Sequence, residues 1–118
     1  MEKRDITICG KTVTIAYCFD TEIKFHNKAN VSIENFDGNN PEHIQHLIMA
    51  AIKAYYEFAG TDAPITENEL RFNSEPDEII DALAAFFDLR ALWYKMPKDE
   101  PKDEPKEVAQ GEDGGKNA

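Results

Sequence analysis

Ile6-Thr7-Ile8-Cys9-Gly10-Lys11-Thr12-Val13-Thr14-Ile15-Ala16-Tyr17 is the stretch that decides the fold. Apolar Ile6 and Ile8 alternate with polar neighbours, as do Val13, Ile15 and Tyr17, and a glycine interrupts the pattern between them. A period of two broken by turn chemistry is the signature of a β-hairpin. With Gly10-Lys11 as a two-residue turn, Gly10 supplies the positive φ of a type II′ turn, Ile8 faces Val13 and Ile6 faces Ile15. One face of the hairpin is then apolar and needs a cover. Thr7, Thr12 and Thr14 occupy the other, which suits solvent or an edge contact.

The cover must come from downstream. Phe19 to His26 places apolar residues at 19, 23 and 26, with Asp20 or Thr21 as caps of a short helix. Asn27-Lys28-Ala29-Asn30 breaks it, Val31-Ser32-Ile33 is a packed connector, and Asp37-Gly38-Asn39-Asn40 is a turn. Asn40, Pro41 and Glu42 then open a helix with a capping side chain, a first-turn proline and an early acid, and Gly60 stops it. Ile44, Leu47, Ile48, Ala51, Ile52, Tyr55 and Ala59 recur along it at three-four spacing, predicting one stripe that covers the hairpin. Thr66 to Glu69 forms a capping box for a short helix through Leu70 and Phe72, and Ser74, Pro76 and Asp77 open the last one.

That last helix is too apolar for one face. Positions 79, 80, 83, 87, 91 and 94 make one stripe, and 82, 86, 89 and 93 a second roughly 100° away. Leaving Phe86, Leu89 and Trp93 in water forgoes roughly 1.5–3 kcal/mol for each, so this second stripe packs on something inside or beyond the fold. Phe86, Leu89 and Trp93, joined by Tyr56 from the middle helix, are the candidate partner-binding residues. The expected architecture is α+β: an N-terminal antiparallel hairpin packed against a mostly helical remainder, one domain over residues 1–96.

Beyond Met96 the composition changes to Pro97-Lys-Asp-Glu-Pro101-Lys-Asp-Glu-Pro105, a four-residue repeat that forbids a continuous helix. A tail of this kind cannot bury enough surface to offset its ordering entropy, which predicts a disordered, acidic, Pro- and Lys-rich segment over 97–118. The 118 residues carry 13 Lys+Arg against 23 Asp+Glu, a net charge of −10. Phosphate backbones and anionic lipid repel such a chain, so neither nucleic acid nor a membrane is an expected partner. No stretch has the length of a membrane span, and Met1-Glu-Lys-Arg-Asp5 runs directly into strand-like sequence, which points to a cytoplasmic protein.

Signals for chemistry are sparse. Cys9 and Cys18 lie near opposite ends of the hairpin strands, beyond disulfide reach, and read as free thiols. His43 and His46 share a helical face beside Glu42, but no third ligand is placed to complete a metal site. No Gly-x-Ser-x-Gly, phosphate loop or Gly-x-Gly-x-x-Gly occurs, so no catalytic residue or cofactor is assigned. Asp77, Glu78, Asp81 and Asp88 read as a solvated acidic face.

The hairpin, the Tyr17-Cys-Phe-Asp-Thr-Glu22-Ile-Lys-Phe25 segment, Val31-Ser-Ile-Glu-Asn-Phe36 and Pro41-Glu-His-Ile44 through Tyr55 occur in an order that resembles the tail assembly chaperones of long-tailed bacteriophages and prophages. The resemblance spans Ile6 to Tyr94. Where many such sequences have glycine before Val-Ser-Ile this chain has Asn30, which also tolerates a left-handed turn. The resemblance implies a non-enzymatic protein that coats the tape-measure protein, recruits tail-tube subunits, self-associates along its client, and is absent from the finished virion. Two rivals stand beside it. One is a small acidic adaptor or inhibitor that mimics nucleic acid, marked by a continuous stripe of carboxylates on the two long helices. The other is a metal enzyme using His43 and His46 with a third ligand from elsewhere.

Overall fold

A computed structural model describes residues 1–95 throughout. Beyond them it describes only the backbone of one minimal strand pair, so the rest of the tail expected over 97–118 lies outside the described residues. Strands β1 (Glu2–Ile8) and β2 (Lys11–Tyr17) form the expected antiparallel hairpin. The helices that follow are α1 (Phe19–Ala29), α2 (Pro41–Ala59), α3 (Glu67–Asn73) and α4 (Pro76–Lys95), with one 3₁₀ turn at Ile33–Asn35. The late pair, β3 (Gln110–Gly111) with β4 (Asp113–Lys116), is a glycine-rich reversal that the disordered-tail expectation does not include.

The hairpin register differs from the expected one. Its two turn residues are Cys9 and Gly10, with φ of 56° and 73°, and Ile8 pairs with Lys11, Ile6 with Val13 and Arg4 with Ile15. Two consecutive positive φ values define a type I′ turn, whose twist matches that of the flanking strands. Cysteine at the first position is held there from outside: its amide and that of Gly10 donate to the Glu78 carboxylate, at 2.9 and 3.0 Å. The shift moves each partner by two residues, so side chains keep their faces. Ile8, Val13, Ile15 and Tyr17 are all buried on the covered side.

Helices α2 and α4 supply that cover, α2 lying over β2 and α4 over β1. In α2, Asn40 Oδ1 accepts from the amides of Glu42 and His43, and Gly60 ends the helix in the left-handed conformation at φ 76°. Leu47, Ile48, Ala51 and Ile52 are buried as expected, and Met49, Ala50 and Ala54 are buried as well. This widening follows from α1 packing on the flank of α2. Ile44 and Tyr55 are half-buried and Ala59 is exposed. Asn30 does adopt the left-handed conformation at φ 62°, ending α1.

Three local expectations are corrected. In α1 the buried residues are Thr21 and Phe25, whereas Phe19, Ile23 and His26 are exposed. Cys18, and not Thr21, is the first cap residue: the helix begins at Phe19, and Thr21 takes the third-residue place of a capping box, its hydroxyl accepting from the Cys18 amide at 3.2 Å and donating to the Ala16 carbonyl at 2.9 Å. Ser74 does not open α4 either. Its hydroxyl donates back to the Leu70 carbonyl, while the Glu78 carboxylate reaches the Glu75 amide at 2.9 Å. The Thr66–Glu69 capping box of α3 forms reciprocally, with Leu70 buried and Phe72 exposed.

Candidate partner-binding surface

Pro76 to Lys95 is the element whose apolar content exceeds what the core takes. Its inner face is Ala82, Ala85, Phe86 and Leu89. Phe86 meets the buried Tyr17 ring edge-on at 5.3 Å, and Trp93 packs on the same ring, also at 5.3 Å. The four expected partner-binding residues therefore separate. Phe86 and Leu89, at 1% and 2% exposure, are core residues and present no surface. Trp93 is half-buried against Tyr17, and half-buried Tyr56 has its phenol oxygen bonded to the Thr14 amide at 3.1 Å.

The exposed apolar residues lie on the opposite side of the same helix. Ile80, Leu83, Phe87, Ala91 and Tyr94 follow one another at three-four spacing, roughly 140° around from the core face. Ile80 is 63% exposed, Phe87 37% and Tyr94 52%, while Leu83 is half-buried and Ala91 exposed. Helical periodicity locates both stripes of α4 and does not say which faces inward. The hairpin decides it: Tyr17, at the end of β2, gathers Phe86 and Trp93, so their stripe turns in. The other turns out with its flank resting on the fold, Phe87 against Phe36 at 5.5 Å and Tyr94 6.4 Å from Tyr17.

Each end of α4 is fastened to the N-terminal elements, the first turn to the hairpin and the last to α1. At the first turn, the Glu78 carboxylate accepts from the amides of Glu75, Gly10 and Cys9, and these bonds hold its pKa below the ordinary carboxylate value. At the last turn, Glu22 Oε2 accepts from the phenols of Tyr17 and Tyr94, both at 2.6 Å. Burial pushes the Tyr17 pKa far up, and the Glu22 bond adds to it; for Tyr94 the Glu22 bond leads and burial follows. The Arg90 guanidinium stacks over Tyr94 at 4.8 Å and meets Glu34 at 3.3 Å. The outward stripe is thus carried on a helix pinned at both ends.

The remaining polar residues make structural contacts. His43 Nδ1 accepts from the Asp37 amide at 3.0 Å, with its ring among Phe25 and Phe36. His46 lines a 230 Å³ hollow with Lys24, Lys28 and Lys53, and its buried Nδ1 has no hydrogen-bond partner among the described residues. Among the described residues, no three His, Cys, Asp or Glu side chains are grouped so as to hold a metal, so the third ligand that the metal-enzyme reading needs is not placed. Cys9 and Cys18 are free thiols. Burial raises the Cys9 pKa, the nearby Glu78 and Glu69 raise it further, and its Sγ donates to the Glu69 carbonyl at 3.3 Å. Such a thiol is a poor nucleophile near neutral pH.

Carboxylates on α2 occur only at Glu42 and Glu57, near its two ends. They do not join the row Asp77, Asp81 and Asp88 of α4 into the continuous stripe that would mark a nucleic-acid mimic. Among the described residues, no helix is long and apolar enough to cross a membrane. No protein-family model, curated protein or solved structure matches the chain.

Proposed function

We propose that this chain is a non-enzymatic tail assembly chaperone of long-tailed bacteriophages or prophages. It binds the tape-measure protein while that client is exposed in the bacterial cytoplasm, and helps recruit tail-tube subunits. The supporting observation is the outward stripe of α4. A chaperone for a long helical client needs an apolar strip on a rigid support, with the rest of its surface charged for solubility. Ile80, Phe87 and Tyr94 supply the strip, the two fastenings of α4 supply the rigidity, and the net charge of −10 supplies the solubility. The resemblance over Ile6 to Tyr94 supplies the identity of the client.

The assignment of contact residues changes with the fold. The client-binding set becomes Ile80, Leu83, Phe87 and Tyr94, with Trp93 and Tyr56 at the margin. Phe86 and Leu89 hold the strip in place from beneath.

Light scattering coupled to size exclusion tests this on the full chain, alone and co-expressed with the tape-measure protein of the same phage. The expected result is a co-eluting multimeric complex, weakened at least about tenfold by Ile80→Asp, since apolar anchors dominate such contacts. The thermal transition of the variant should stay close to that of the parent. A chain that ignores the client, or a variant that binds it unchanged, overturns the proposal.

A further inference from the structure

The two edges of the hairpin are treated differently. Ile8 and Lys11 close a two-residue turn as a hydrogen-bonded pair, and pairs alternate from there, so Lys3, Asp5 and Thr7 point their backbone N–H and C=O groups outward from β1. Thr12, Thr14 and Ala16 do the same from β2. On the β2 edge the Thr14 amide is bonded to the Tyr56 phenol oxygen and the Ala16 carbonyl to the Thr21 hydroxyl. On the β1 edge, among the described residues, no third strand is paired and no hydrogen bond reaches the outward backbone groups of Lys3, Asp5 and Thr7.

Beside this open edge runs a groove of about 430 Å³, walled by β1 residues Arg4 to Thr7 and by the flank of α4 carrying Asp77, Asp81 and Asp88. Asp88 is engaged by Arg4 at 3.3 Å, which leaves Asp77 and Asp81 facing the groove without an ion-pair partner among the described residues. They lie four residues apart on a helix, a rise of about 6 Å. Same-side residues of an added strand, two apart, are spaced by about 6.6 Å.

We propose that the outer edge of β1 takes up an extended basic segment of a partner protein as a third strand, its backbone pairing with Lys3, Asp5 and Thr7 and two basic side chains at i and i+2 meeting Asp77 and Asp81. Charge selects this occupant. A second copy seated on β1 would bring its own Asp77 and Asp81 against the first pair, and like charges in such proximity oppose pairing. The charged residues of β1 itself, Glu2 to Asp5, discourage pairing with apolar strands while leaving the backbone groups available. The surface is separate from the outward stripe of α4 and does not depend on the chaperone reading.

The experiment uses the full-length protein and a synthetic ten-residue peptide alternating lysine with threonine. Controls are the same peptide with glutamate for lysine, and one N-methylated at alternate amides. With saturating lysine peptide, hydrogen exchange at the amides of Lys3, Asp5 and Thr7 should slow at least about tenfold, and Asp77→Asn with Asp81→Asn should weaken binding by about tenfold. Both controls should fail to bind, and the core amides of Leu47 and Phe86 should report an unchanged fold in the variant. Absence of binding, equal protection by the glutamate peptide, or binding that leaves those three amides unprotected overturns the proposal. So does protection that rises with protein concentration in the absence of peptide, which would seat a second copy there.

Discussion

The two long helices carry comparable apolar content and use it differently. Helix α2 commits its middle turns to the fold: seven residues from Leu47 to Ala54 are buried, between β2 on one side and α1 on the other. Helix α4 buries Ala82, Ala85, Phe86 and Leu89 and leaves Ile80, Phe87, Leu92 and Tyr94 in solvent. Elements on two sides enclose α2, whereas the hairpin takes only one side of α4. Apolar content in a helix therefore measures its demand for partners, and the fold meets that demand along α2 up to its last turn, where Phe58 is exposed, but on only one face of α4.

The largest test of that contrast is within α4. Phe86→Ala should cost about 3–5 kcal/mol in chemical denaturation, because it opens a cavity beneath Tyr17. If the variant instead unfolds like the parent, the inward assignment of that stripe is wrong. Next comes the start of α2: Asn40→Ala removes an acceptor shared by two amides and should cost about 1 kcal/mol. Tyr56→Phe should cost about 0.5–1.5 kcal/mol and speed exchange of the Thr14 amide, since the closed edge of the hairpin loses its phenol partner. Ile80→Ala, on the outward stripe, should stay within about 0.5 kcal/mol of the parent. A large loss there would mean that the stripe is already covered in the isolated chain.

The smallest effect concerns the first turn of α4 and is read from a slope. Amide hydrogen bonds hold the Glu78 carboxyl below its ordinary pKa of 4.5 in the folded chain. Its contribution is then fully present above the unfolded value and is lost as the pH falls through the lower folded value. The melting temperature should decline more steeply for the parent than for Glu78→Gln as the pH drops below about 4.5. Parallel curves would show that the carboxylate contributes nothing at the turn.

Period and punctuation made most of this architecture legible. Alternation fixed the hairpin, Asn40-Pro41 and Gly60 bounded α2, and Thr66-Glu69 opened α3, because each rests on local chemistry that the tertiary fold did not override. The failures were relational. Which stripe of α4 turns inward depends on where Tyr17 lies, and a helix read in isolation has no inside. Cys9 is an unpromising residue for a positive φ, and only a carboxylate 69 residues away makes it one. Thr21 serves the start of α1 from the third helical position, accepting from the Cys18 amide, and the Ala16 carbonyl on a neighbouring strand edge makes it a buried clasp as well. Phe86 and Leu89 read as surface candidates for the same reason, and of the residues of α4 that are exposed instead, Ile80, Phe87 and Tyr94 belong to the first stripe of the sequence pattern.

The fastenings of α4 bear on how the chain is made. Glu78 closes on a turn formed by residues 9 and 10, and Tyr94 meets Glu22 across 72 positions of sequence. A two-stranded hairpin is marginal in water by itself, so the first structure to leave the ribosome waits for the last helix before it is secure. Throughout that wait both edges of the hairpin and both stripes of α4 are bare, and the nascent chain itself is for a time a client in need of cover.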